Sequence, residues 1–182
     1  MKIKKTMLAV TLFITCAAFI AGTDNWKVAT GTKTNFSIKG VLGSTVNGTF
    51  DITKSTIKFD AASPAASSLM AVVSVNSVST GITKRDNHLK TADYFDAATY
   101  PEITFKSVAI TKAGDGKFIA SGNLTIKNVT RHIDIPFSFT PTGNGAVFKG
   151  SFVIKRIDFG VGEKSMMMGN EVTVNLNIPV SK

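Results

Sequence analysis

Two histidines, one cysteine and twelve Asp or Glu side chains are the stock from which this 182-residue chain would build acid–base, thiol or metal chemistry. His88 stands beside Arg85, Asp86 and Asp93. An imidazole among carboxylates can act as a general base or hold a metal. The same residues also suit a structural role. Thr83 followed by Asp86 has the form of a capping box, and Asp86 with Lys90 has i,i+4 spacing. Arg85 would then pair with a carboxylate or carbonyl, and His88 would hydrogen-bond at the rim of the fold. His132 falls on the polar side of an alternating segment, which puts it in solvent. The chain has no GxSxG, HExxH or phosphate-binding P-loop, and no paired-cysteine metal motif. The expectation is a protein that is not an enzyme, with no catalytic residue, no metal ligand and no cofactor. An enzyme centred on His88 stays as an alternative.

Cys16 lies inside a segment that reads as a targeting signal. Lys2, Lys4 and Lys5 precede a stretch from Thr6 to Ile20 that is apolar apart from Thr11 and Thr15, and Thr23-Asp24-Asn25 follows. The apolar run falls short of the roughly 20 residues a membrane span requires, so residues 1–21 are expected to be a cleaved secretory signal peptide ahead of one domain, 22–182. The product would be periplasmic or secreted. Lipid anchoring at Cys16 is the less favoured alternative, because Phe13-Ile14-Thr15 lacks the small residue a lipoprotein signal wants there. Without the leader no cysteine is left for a disulfide, so the hydrophobic core must hold the domain. Three lysines leave with the leader, and the formal charge falls from +9 to +6. The remaining Lys and Arg are scattered singly, unlike the stripe of a nucleic-acid binder. No nucleic-acid partner is expected; the charge reads as a solvated basic exterior, with which transient contact with an anionic membrane surface is compatible.

The elements that would position these groups alternate with period two. Val172, Val174, Leu176, Ile178 and Val180 interleave with polar residues, as do Ile133, Ile135, Phe137 and Phe139, and again Phe148, Gly150, Phe152 and Ile154. Similar pairs or runs occur at Phe36–Ile38, Val46–Ile52, Ile57–Phe59, Leu69–Val78, Ile103–Phe105 and Leu124–Ile126. Turn signals such as Gly114-Asp115-Gly116 and Gly143-Asn144-Gly145 separate them. The pattern predicts an all-β, antiparallel domain of about eight strands, either a sandwich or a closed barrel. Residues 83–100 break the alternation as a short helical insertion that ends at Tyr100-Pro101 and covers an open edge or a barrel end. Thirteen Phe against one Trp and two Tyr make the interior strongly apolar. Such an interior either fills with side chains or leaves room for one ligand. Met166-Met167-Met168 suits an adaptable apolar surface or a core plug equally.

Three stretches go further. RDNHLKTADYFDAATYPEITFKS (85–107), GNLTIKNVTRHIDIPFSF (122–139) and FVIKRIDFGVG (152–162) resemble, in order, the signature segments of the YceI-like family. The opening Trp26 strand and Ser77-Val78-Ser79-Thr80-Gly81 fit as well, and Tyr94 stands where the family often has Phe. The resemblance spans residues 22–182. It implies an extended lipocalin-like antiparallel barrel that holds a polyisoprenoid chain, such as a polyprenyl phosphate or an isoprenoid quinone, for transport, storage or sequestration. A pore lined by Trp26, Phe36, Ile38, Val73, Val75, Ile103, Phe105, Leu124, Ile126, Ile135, Phe137 and Phe152 follows as an expectation. Arg85 and His88 are the head-group candidates, and a homodimer is admitted. Each buried methylene contributes roughly 0.8 kcal/mol, so a long chain can be held without a dedicated polar site. The competing expectation is a filled barrel serving as a stress-response or adhesion module.

Overall fold

The computed structural model describes residues 23–182. The expected signal peptide and Cys16 lie outside the described residues. Nine strands and one helix follow in order: β1 (Asp24–Val28), β2 (Lys33–Lys39), β3 (Thr45–Phe59), β4 (Ser68–Ser74), α1 (Thr83–Leu89), β5 (Glu102–Gly114), β6 (Lys117–Ile126), β7 (Val129–Thr142), β8 (Gly145–Lys155) and β9 (Glu171–Ser181). All pairings are antiparallel. The sheet runs β3-β2-β9-β8-β7-β6-β5-β4, and β4 returns to pair with β3, which closes an eight-stave barrel. Closure removes the exposed edges an open sheet would present.

Nine strands make eight staves because β1 and β2 share one. Both lie between β3 and β9, β2 at one end and β1 at the other, and their registers against β3 differ by a single residue. The break is a tight turn in which the Thr32 N–H donates to Ala29 O at 3.2 Å. Gly31 supplies the left-handed φ of +79° that the turn needs.

Two bulges explain why the apolar pattern slips along β3 and β5. Ile52 pairs with Val73 and Lys54 with Val72, leaving Thr53 as an extra residue. One inserted residue reverses the parity of the pleat, so Phe50 and Ile52 before it, and Ile57 and Phe59 after it, all face inward. In β5, Ser107 pairs with Gly122 and Ala109 with Ser121. Val108 is the extra residue there and is exposed, while Ile110 returns to the interior.

The interior holds two apolar clusters. One gathers Trp26, Phe118, Phe137 and Phe148 around Phe59, which has no solvent exposure. The ring of Phe59 meets Phe118 and Phe139 at 5.0 Å, Phe148 at 5.3 Å and Phe137 at 5.6 Å, mostly edge to face. The other gathers Phe50, Val75, Ile103, Leu124, Ile126 and Phe159, with Leu89, Tyr94 and Phe95 packed on from the α1 segment. The insertion therefore caps one barrel end, as its position among strands suggests.

Its capping box does not form. Ile82 is the N-cap residue, Thr83 is already helical, and no side chain caps the helix. The Asp86 carboxylate turns back instead to accept from the Thr80 N–H at 2.8 Å and the Thr80 hydroxyl at 2.5 Å. The helix also ends at Leu89, well before Tyr100. Turns carry the chain from there, with Phe95 N–H bonded to Leu89 O and Ala97 N–H to Lys90 O, and this route brings the Tyr94 and Phe95 rings onto the barrel.

Candidate ligand-binding interior

On the side of the Phe59-centred cluster the barrel keeps a cavity of about 120 Å³. Its wall is mostly apolar, with Ile52, Ile57 and Leu69 from β3 and β4, Phe105 and Ala120 from β5 and β6, and Ile135, Phe137, Phe148, Leu176 and Ile178 from β7 to β9; Thr34, Ser55 and Lys149 also border it. Small residues make the room. Ala71, Ala120 and Gly150 occupy inward positions where larger side chains would fill the space. A Cβ on Gly150 would stand 2.8 Å from Pro136 O and 3.4 Å from Phe137 Cβ, so that position accepts only glycine without a shift of the neighbouring strand.

Phe105 and Ile133 pack against both clusters and so form the partition between the cavity and the α1-capped end. Both are only partly buried. Among the described residues, no buried side-chain nitrogen or oxygen lacks a hydrogen-bond partner.

Of the twelve expected pore residues, three border this cavity: Phe105, Ile135 and Phe137. Trp26 packs in the Phe59 cluster, and Phe152 lies against it. Val75, Ile103, Leu124 and Ile126 belong to the cluster beneath α1, with Phe36 and Val73 against it. Ile38 is buried outside both. The large wall residues missed from sequence are Ile52, Ile57, Leu69, Phe148, Leu176 and Ile178. Leu176 and Ile178 sit on the plainest alternation in the chain, whereas the Thr53 bulge separates Ile52 from Ile57 and hides their common face.

The head-group candidates are not brought to the cavity. Arg85 donates through Nε to Thr80 Oγ1 at 2.7 Å and through Nη2 to Thr80 O at 3.0 Å. His88 is exposed, with Nε2 3.8 Å from Asp93 Oδ2 and its ring edge-on to Tyr94 at 4.9 Å between centroids. His132 is exposed, as its strand position implies.

A cation passed over in the sequence proves the most committed. Arg156 is 4 % exposed and donates to three backbone carbonyls: Gly169 at 2.9 Å, Val161 at 2.8 Å and Glu163 at 2.7 Å. Burial pulls its pKa below the ordinary guanidinium value, and the nearby Tyr94 pushes it back up. Arg156 thereby ties the β8–β9 loop to the barrel end. Gly162 makes this contact feasible: it has φ of +67°, and a Cβ there would fall 2.8 Å from Tyr94 Cε1 and 2.9 Å from Arg156 Nη1. Nothing in the spacing of basic residues marks Arg156 out, because burial depends on where the loop returns.

The described residues thus form a closed antiparallel barrel with an apolar midsection and one capped end. The model of the YceI-like domain matches residues 26–180. The chain belongs to the YceI-like domain family. Among curated relatives, a UPF0312 protein of Vibrio parahaemolyticus is 30% identical over 152 residues, covering 80% of this chain and 78% of the relative. One from Pseudomonas syringae pv. tomato is 32% identical, covering 76% and 77%. Among solved structures, Burkholderia cenocepacia BcnA superposes with a TM-score of 0.78 at 29% identity, over 83% of this chain and 96% of that one. A polyisoprenoid binding domain from Saccharophagus degradans gives a TM-score of 0.66 at 16% identity, over 86% and 97%. At that identity the likeness concerns the fold, and it places this YceI-like chain among lipocalin-like barrels.

Proposed function

We propose that this YceI-like protein binds lipid, holding a long apolar chain, polyisoprenoid in kind, inside its barrel. The observation that carries this reading is the predominantly apolar cavity walled by Ile57, Phe105, Phe137 and Leu176 inside a closed sheet. A polar substrate would meet few partners there, while an alkyl or prenyl chain gains roughly 0.8 kcal/mol for each methylene it buries. A cavity of this size is on the scale of one six-carbon ring. Longer chains therefore require the partly buried Phe105 and Ile133 to swing and join the cavity to the α1 end. The ligand's head group, a phosphate or a quinone ring, would stay outside the apolar section, with the solvent-facing His88 and the neighbouring Arg85 the candidates to meet it at the capped end. The targeting pattern of residues 1–21 supports export, and transport, storage or sequestration of the lipid are the roles that follow.

Native mass spectrometry of protein taken from its own host tests the reading. Added mass matching an isoprenoid is the expected result. Protein that carries none, and takes up neither polyprenol nor quinone when offered them, overturns it. The small cavity also supports a second reading, a filled barrel that works as a module without ligand, and the same overturning result would favour it.

A further inference from the structure

Four large apolar side chains project into solvent from two adjoining loops at the α1-capped end. Val41 and Leu42 lie at the tip of the β2–β3 hairpin, and Met166 and Met167 on the β8–β9 loop; Leu42 and Met166 are fully exposed. The loops are joined at their bases, where the Gly169 N–H donates to Lys39 O at 2.7 Å. Arg156 holds the second loop from below through Gly169 O and Glu163 O, and the Ser165–Met168 bridge closes it. The methionines thus stand on an anchored support.

Leu42 adds a separate sign. Its φ is +54°, a left-handed conformation in which glycine or asparagine is the usual occupant. A leucine held there with its side chain in water has no packing reason of its own. Backbone strain of this kind, kept at an exposed tip, points to a use for the side chain.

We infer that these tips dock the protein on an anionic lipid bilayer, with Val41, Leu42, Met166 and Met167 entering the interfacial region and Lys39 and Lys164 meeting the head groups. Two narrow protruding tips suit penetration of a fluid surface, whereas a stable protein partner needs a patch of about 800 Å² per side. Unbranched thioethers adapt to disordered chains. Lys39 and Lys164 are exposed beside the tips, and the Lys39 Nζ is held at 3.2 Å from Thr45 Oγ1. The +6 charge of residues 22–182 favours approach to a negative surface. The inference rests on the lipid-binding reading for its purpose, since docking would set the α1-capped end against the reservoir of ligand. It does not need that reading for the docking itself.

The test is co-sedimentation of the purified protein with phosphatidylcholine vesicles and with vesicles in which a third of that lipid is replaced by phosphatidylglycerol, both free of isoprenoid. The expected result is binding to the second kind that falls as salt is added. The triple variant Leu42→Ser, Met166→Ser, Met167→Ser should bind about tenfold or more weakly while keeping the wild-type circular dichroism and melting temperature. The pair Lys39→Glu, Lys164→Glu should lose the preference for phosphatidylglycerol. Wild-type protein that stays in the supernatant with both vesicles, that pellets equally with both, or that is matched by the triple variant overturns the inference. Isoprenoid uptake from detergent micelles, measured on the same variants, separates the two ideas: a barrel that refuses isoprenoid yet pellets with anionic vesicles loses the ligand and keeps the docking.

Discussion

The ring of Phe105 lies across the backbone of Gly122, its ζ carbon 2.8 Å from where a Cβ on that glycine would stand. The same Cβ would fall 2.5 Å from Lys106 O, a backbone atom that cannot rotate away. Gly122 thus sets the pose of the side chain that divides the interior. Gly122→Ala should destabilise by about 2 kcal/mol through overpacking, read as a lower urea midpoint with an unchanged slope.

Removing the partition should have the opposite effect on space. Phe105→Ala joins the central cavity to the α1-capped cluster. A stability loss of about 3 kcal/mol is expected for the truncation, together with tighter binding of long prenyl chains. Isothermal titration with polyprenols of increasing length checks it: shorter chains should gain little and longer ones most.

Phe59 makes a sharper stability test. It is fully buried and touches four other phenylalanine rings. Phe59→Ala should cost about 4 kcal/mol, more than the same change at the partly buried Phe152. Parallel chemical denaturation of the two variants measures the difference.

Arg156→Lys should show that geometry matters more than charge. The guanidinium serves three carbonyls in fixed directions, and an ammonium on a linear stem does not reproduce that fork. A loss of about 2 kcal/mol is expected. Faster hydrogen exchange confined to residues 160–170 would accompany it.

His88→Ala should leave the fold intact, because the ring is exposed and its Asp93 contact is long. A change in stability within about 0.5 kcal/mol is expected. Loss of a measurable turnover on this substitution, with the melting temperature preserved, would speak for the enzymatic alternative.

The period-two alternation determined the strands, their inward faces and the apolar character of the interior, because the pleat sends successive side chains to opposite sides whatever the partner strand. The break at residues 83–100 likewise identified the capping segment, and the motifs 85–107, 122–139 and 152–162 indicated the family. Tertiary structure alone decided the rest. Pairing of Ile52 with Val73 and of Ile57 with Leu69 closes the barrel, a choice between sandwich and barrel that depends on contacts distant in sequence and not on any local pattern. The extra residues Thr53 and Val108 turn their strands over, which put Ile57 and Ile110 inside against a naive count. Arg156 looks like any scattered basic residue until the loop of Gly162 and Gly169 folds over it. The size of the cavity was set the same way, since the space between Phe105 and Leu176 is a remainder of volumes contributed by strands that meet only when the sheet closes.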